Sequence, residues 1–353
     1  MKSVFIVPGD PAQRTGGYLY DARIVAELRR LGWTVDVVGL DGQFPLACDT
    51  ARRALDQCLA GLPDGAVAVI DGLALGGLPD VAVAHGRRLE LIALVHHPLA
   101  DETGLAPAQV RQLLDSERRA LAACRRIIVT SRFTARRLAE LELAGTASKV
   151  VEPGVDAAEP APAALAMARG QTLPGPMGLV CVASLTPRKG HATLLQALAQ
   201  LSRSDWTLAL VGSETRDRAH AEKLRQLAES SGLGERIHWL GELDEDQLDR
   251  AYRSGSLCVV PSLYEGYGMV VSEALARGLP LVSTTGGALA DTVPADCALK
   301  VAPGDADALA AAIARFMDDA GLRADLCRAA LDKREQLPDW AAAGRAFAGA
   351  VRP

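Results

Sequence analysis

Glu265 and Glu273 bracket a glycine-bearing segment, Glu265-Gly-Tyr-Gly-Met-Val-Val-Ser-Glu273. Carboxylates accept hydrogen bonds from hydroxyl groups. Gly266 and Gly268 allow a ligand to come close to the backbone. A helix start adds unpaired N–H groups and the positive end of a dipole, both suited to an anion. The flanking sequence supplies the right elements. Leu257-Cys258-Val259-Val260 reads as a short buried strand. Ala274-Leu275-Ala276-Arg277 reads as helix, with Gly278 past its end and Pro280 preventing continuation. A polyhydroxyl ligand with a phosphate tail fits such a strand end. Taken singly, the same residues also have ordinary uses, in helix dipoles and in turns.

A second constellation is Ser184-Leu-Thr-Pro-Arg-Lys-Gly190, again between a strand and a helix. Arg188 and Lys189 at a helix start suit a diphosphate, although the pattern is not that of a P-loop. Gly212 ends a further strand, and Leu240-Gly241 another. In the first half Gly16-Gly17 precedes a helix read over 18–30. This suits a phosphate or a sugar, or equally a plain tight turn. His96-His97 follows a strand read over 91–95. Two adjacent histidines rarely reach one ion, and the only further ligands evident nearby are Asp101 and Glu102, so no metal is expected. A neutral histidine bonded to a ligand hydroxyl is the better expectation.

The elements that must position these groups alternate between apolar runs and helical stretches. Strands are read at 4–7, 33–38, 66–70, 91–95, 127–130 and 149–152. After a Pro- and Ala-rich stretch, further strands are read at 178–183, 207–211, 237–240, 257–260 and 281–283. Polar clusters fall at the strand ends, where open α/β sheets bind ligands. The reading is α/β, with two doubly wound parallel-sheet domains facing across a cleft. Residues 1–157 form the first, 158–176 a linker, 177–337 the second, and 338–353 a final helix.

Composition narrows the function. The 353 residues are 49% hydrophobic and 23% charged, with a formal net charge of -5. That balance offers no global attraction to nucleic acid. A run of arginines from Arg111 to Arg137 is partly offset by Asp115, Glu117 and Glu140, and leaves peripheral contact with a membrane open. The seven cysteines include no C-x-x-C pair and read as reduced thiols. The N-terminal apolar run is too short for a signal peptide, and none approaches a membrane span, so a cytoplasmic protein is expected. No G-x-G-x-x-G is present, which argues against a nicotinamide dehydrogenase.

Together, in chain order, these motifs resemble the retaining family 4 glycosyltransferases of the GT-B fold, over nearly the whole chain. The paired glutamates with seven residues between them carry the resemblance most specifically. Arg188-Lys189-Gly190, Glu152-Pro-Gly-Val-Asp156, Thr284-Thr-Gly-Gly287, Gly16-Gly17 and Asp339-Trp340 extend it. One departure stands out: the family has Gly-Arg where this chain has Ala183-Ser184, and Arg188 is the nearest replacement for the missing cation.

The resemblance implies transfer of a hexose from a UDP- or GDP-type nucleotide sugar to an acceptor hydroxyl, with retention and without a metal or other cofactor. It implies catalytic roles for Glu265, Lys189, Arg188 and His96. Ser184, Gly212, Gly241, Gly266, Tyr267, Gly268, Met269 and Glu273 would line the donor, with Glu273 on the ribose. Gly16, Gly17 and His97 would face phosphates or acceptor, and His97 competes with His96 for the histidine role. The last helix would return to the N-terminal domain. A nucleotide-sugar epimerase and a non-catalytic nucleotide-sugar-binding subunit are the alternatives on the same fold. Acceptor, nucleobase, sugar and oligomeric state are not encoded legibly.

Overall fold

The computed structural model describes residues 1–144 and 148–352. It divides into two compact units, residues 1–154 with 338–353, and residues 155–337. Among the described residues each unit holds one six-stranded sheet, parallel throughout.

In the N-terminal unit the strands are β1 (Lys2–Pro8), β2 (Thr34–Leu40), β3 (Val67–Asp71), β4 (Glu90–Val95), β5 (Arg126–Val129) and β6 (Lys149–Val150), in the order β2-β1-β3-β4-β5-β6. The central strands are continuous apolar runs because helices cover both sheet faces. Phe5, Ile6, Ile70, Leu91 and Val95 are accordingly buried. The chain order reverses between β1 and β3, which makes their C-terminal ends the switch point of this sheet.

The C-terminal unit contains β7 (Met177–Val182), β8 (Trp206–Val211), β9 (Ile237–Gly241), β10 (Leu257–Val260), β11 (Leu281–Thr284) and β12 (Ala298–Val301). Their order is β12-β11-β10-β7-β8-β9, the dinucleotide-type order in which the first strand of the unit lies beside the fourth. The switch point here falls between β7 and β10, which pair through Leu257 with Leu179 and Cys258 with Val180.

Two boundaries differ from the sequence reading. The stretch read as a linker, 158–176, contains the helix Pro162–Ala168. Its Ala161, Ala164 and Met167 are buried within the C-terminal unit, and the amide of Ala161 donates to Arg277 O. Prolines marked it as a connection, but Pro162 sits at the first turn, where its missing N–H costs nothing. The first helix begins at Gly16 rather than near Tyr18, so Gly16 and Gly17 are its first turn.

The final helix, Trp340–Val351, is capped by Asp339, whose carboxylate accepts from the amide of Ala342. It packs in the N-terminal unit against the helix Gly16–Arg30. Gly154 explains part of the Glu-Pro-Gly motif, because a Cβ there would lie 2.3 Å from the amide nitrogen of Trp340. The described cysteines are all unpaired, and five of the seven are buried. No helix among the described residues is long and apolar enough to cross a membrane.

Candidate active site

At the switch point of the C-terminal unit, the loop after β7 meets the loop after β10. Gly190 adopts φ +69°, and its Cα faces the carbonyl of Pro261 so closely that a Cβ would lie 2.0 Å from that oxygen. The amide of Leu263 donates to Arg188 O at 2.8 Å. The two motifs, distant in sequence, are thus sewn together by backbone.

Glu265 is the centre of this junction. It is 6% exposed. Its Oε1 accepts from Lys189 Nζ at 2.6 Å and from Ser262 Oγ at 2.7 Å. Arg188 Nη1 lies 3.4 Å from Oε2 and donates to Tyr264 O at 2.8 Å. Burial opposes ionisation of Glu265, but the charges of Lys189 and Arg188, with the hydrogen bonds from Lys189 and Ser262, outweigh it and lower its pKa to about 2. Lys189 is lowered from the usual lysine value by burial and by Arg188, against the pull of Glu265. The site therefore holds a carboxylate and two cations at close quarters in a little-hydrated corner.

The backbone of Glu265 is fixed by the loop after β11. Its amide donates to Gly286 O and its carbonyl accepts from Ala288 N at 2.8 Å. A Cβ on Gly286 would lie 2.4 Å from Leu263 O, and one on Gly287 would lie 2.4 Å from Glu265 O. That close approach is why two glycines follow Thr284-Thr285. Gly268, at φ +88°, is the N-cap of the helix Met269–Ala276. The amides of Tyr267, Gly268 and Met269 therefore lie at a helix start suited to anions. Glu273 lies on this helix, with its Oε2 accepting from the hydroxyl of Tyr252 at 2.7 Å. Gly212, at φ +146°, lies against Ala183 and Ser184, and its amide donates to Gly241 O at 2.8 Å. The strand-end residues Ser184, Gly212 and Gly241 thus form one neighbourhood.

The N-terminal unit gathers a different set. His96 follows β4, and its Nε2 lies 3.1 Å from Asp21 Oδ1 and 3.7 Å from Asp71 Oδ2. Asp71 ends β3, and Asp21 is on the helix Gly16–Arg30. Gly17 sits against the imidazole, where a Cβ would be 3.5 Å from the ring. Tyr20 meets the same ring edge-on at 5.5 Å. Gly16 has open space in front of it.

This corrects two expectations. Asp101 pairs with Arg137 and Glu102 with His97, at 2.8 and 3.2 Å, while the acids around His96 are Asp21 and Asp71. Nor does its setting favour the neutral form of His96. Burial disfavours its charge, but the charge and hydrogen bond of Asp21, with the charge of Asp71, raise its pKa to about 9. Burial in turn lifts Asp71 to about 7, with Asp21 adding to the rise and His96 and the amide of Leu73 opposing it. Sequence reading missed Asp21, Ser262 and Tyr252 as partners. The signal for Asp21 was its place one turn beyond Gly16-Gly17 on the same helix; the other two carried none.

Two doubly wound parallel sheets, one in each unit, define the GT-B class of α/β folds. Similar solved structures bear this out. Sucrose-phosphate synthase from Thermosynechococcus elongatus superposes with a TM-score of 0.79 at 24% identity, over 98% of both chains. Anabaena HepE, solved in complex with UDP-glucose, gives 0.76 at 19%, also over 98% of each. Residues 171–333 match the family model of glycosyl transferases group 1. Among curated proteins, a D-inositol 3-phosphate glycosyltransferase of Acidothermus cellulolyticus is 33% identical over 223 residues, 60% of this chain and 49% of the relative. A lipopolysaccharide core biosynthesis mannosyltransferase of Rhizobium leguminosarum bv. viciae is 32% identical over 179 residues, 49% of this chain and 50% of the relative. The chain spans about half the length of these curated relatives.

Proposed function

We propose that the protein is a retaining glycosyltransferase that moves a hexose from a nucleoside-diphosphate sugar to an acceptor hydroxyl. The observation that carries this reading is the buried Glu265 clamped by Lys189, Arg188 and Ser262 at the switch point of the family-matched unit. The names of the relatives and the nucleotide-sugar complex of HepE support the same class.

Departure of the diphosphate builds negative charge on phosphate and positive charge on the sugar. Lys189, Arg188 and the amides at the start of the helix Met269–Ala276 would stabilise the first, so the reading requires no metal at the diphosphate. Glu265, kept ionised, is suited to the second and to the sugar hydroxyls. A donor phosphate entering the clamp would exchange the carboxylate for itself as partner of the cations. Glu273, oriented by Tyr252, would take the ribose hydroxyls, and Arg188 would stand in for the arginine that Ser184 replaces. We assign no protein nucleophile. The acceptor hydroxyl attacks on the face the diphosphate leaves, and the departing phosphate takes its proton.

Glu265→Ala tests the reading. Transfer of radiolabelled sugar to acceptor, or donor hydrolysis where no acceptor is known, should fall nearly to background with the circular dichroism spectrum unchanged. Full activity in that variant would overturn it. Conversion of the donor to an isomeric nucleotide sugar without any acceptor would mark an epimerase instead.

A further inference from the structure

We propose that Glu117 positions the loop that carries His96 and His97, holding it while uncharged and releasing it on ionisation. The consequence for catalysis rests on the role given to His96 in sugar transfer; the hold on the loop does not.

The loop leaves β4 at Val95 and is fastened at both ends and in its middle. The carbonyl of His96 accepts from the hydroxyl of Thr134 at 3.2 Å. The carboxylate of Asp101 accepts from Nε and Nη2 of Arg137, each at 2.8 Å. Between them stands Leu99, whose amide donates to Oε2 of Glu117 at 3.0 Å. Glu117 lies on the helix Pro107–Ala122, which packs against the turn Leu99–Asp101. The Leu99 side chain is buried and closes on Gly76, where a Cβ would lie 2.6 Å from its Cδ1. Ser116, beside Glu117 on the same helix, donates its hydroxyl to Gly76 O at 2.6 Å. The helix therefore grips the segments that follow β3 and β4 together.

The Leu99 amide needs only one neutral acceptor. Glu117 brings a second oxygen, Oε1, which is buried and has no hydrogen-bond partner, in a residue 0% exposed. A buried polar atom left unsatisfied is destabilising. A glutamine would hold the same amide without the hazard of a buried charge. Departures from that rule concentrate at functional sites. What separates a carboxyl from a carboxamide here is that it can ionise.

Among the described residues no cation pairs with Glu117. The charged groups on the elements around it are engaged with one another. Asp80 and His85, on the helix Pro79–His85, pair with Arg119 and Asp56. Glu90 of β4 faces Arg125 and Arg126, Asp115 pairs with Arg118, and Asp101 with Arg137. Burial opposes ionisation of Glu117, the Leu99 amide favours it and Asp101 opposes it, and the group is raised to about 8. Once ionised, the carboxylate demands water, and water reaches it when the loop lifts. With the loop lifted the group returns to its ordinary value near 4.5. The hold is thus complete below that value and is lost as pH rises through about 8.

Hydrogen exchange at the amides of residues 99–104 of the full chain tests this, corrected for intrinsic rates with an unstructured peptide of the same sequence. In the parent, protection should fall at least tenfold between about pH 5.5 and pH 8. In Glu117→Gln it should stay within about twofold over that range, because nothing ionises. Glu117→Leu leaves the amide without its acceptor, and should already lose about fivefold at the lower pH, the scale of one net hydrogen bond. His97 and Glu102 are paired in the same loop and present in all these proteins, so the difference between them belongs to Glu117. In steady-state donor turnover Glu117→Leu should lower kcat severalfold at unchanged donor KM, and Glu117→Gln should restore it. Circular dichroism checks each fold, and the glutamine comparison carries the test should Glu117→Leu not fold. The same pH dependence in the parent and in Glu117→Gln overturns the proposal, as does full protection in folded Glu117→Leu. Exchange that follows Glu117 while turnover does not would uphold the hold on the loop and count against the role of His96 in transfer.

Discussion

Lys189 is the residue on which the charge balance of the C-terminal site turns. It touches Glu265 at 2.6 Å, and Arg188 reaches the same carboxylate at 3.4 Å. If Lys189 neutralises the leaving diphosphate, Lys189→Ala removes a stabiliser of transition-state charge. Turnover should fall by roughly a hundredfold or more. The drop should appear in kcat as well as in kcat/KM, because the charge develops during the reaction. Near-normal turnover would remove Lys189 from the phosphate site. Glu117 makes a different case at the same scale. It is fully buried, its Oε2 accepts from the amide of Leu99, and Oε1 is unpaired. Burial, opposed by that amide and aided by Asp101, raises its pKa to about 8. A carboxyl raised on folding stabilises fully below its ordinary value near 4.5, and that contribution is lost as pH rises through about 8. The thermal midpoint of the N-terminal unit should therefore decline between about pH 5 and pH 8. Glu117→Gln keeps an acceptor for Leu99 and removes the ionisation, so its midpoint should be flatter over that window. Parallel curves for the two proteins would show that Glu117 does not titrate in the fold.

Elements decide how the residues meet, and here the glycines can be separated by what they face. Gly190 has φ +69° and no room for a Cβ against Pro261 O, whereas Gly241 has φ +66° with open space around it. Gly241→Ala should cost only the left-handed backbone, about 1 kcal/mol. Gly190→Ala adds a collision that must push the β7 loop off the β10 loop, so we expect about 2 kcal/mol or more and a loss of donor affinity. Chemical denaturation of the C-terminal unit compares the two, and equal losses would show that the seam between the loops is soft. These seams mark the limit of what the sequence discloses. β10 was read at its observed bounds because it is a short apolar run closed by polar residues at both ends. The helix Met269–Ala276 was recognisable by its glycine and proline stops. But Lys189 and Glu265 are 76 residues apart, and His96 and Asp21 are 75 apart. Nothing local predicts such pairs until the strand order sets β7 beside β10 and β3 beside both β1 and β4. The helix Pro162–Ala168 was hidden for the opposite reason. Its composition is that of a linker, and only burial against the C-terminal unit makes it structure.

At the scale of the whole molecule, the two sheets have different strand orders and gather different chemistry at their switch points. The C-terminal unit presents cations and a helix start; the N-terminal unit presents two acids around a charged histidine. An anionic nucleotide sugar is complementary to the first and repelled by the acids of the second. Donor binding should therefore register in one unit only. A ligand present at a hundred times its Kd stabilises the form that binds it by about 2.7 kcal/mol. In a panel of UDP-, GDP- and ADP-sugars, the true donor should raise the melting transition of the C-terminal unit while the others leave it near its starting value. Hydrogen exchange on the same complex should slow at residues 184–190 and 261–273, with β1, β3 and β4 unchanged. Glu273→Ala should weaken the shift for every ribonucleotide sugar alike, because the ribose is common to all of them. Protection confined to the N-terminal strands would place the donor on the wrong unit and remove the assignment of Glu265 and Lys189 with it.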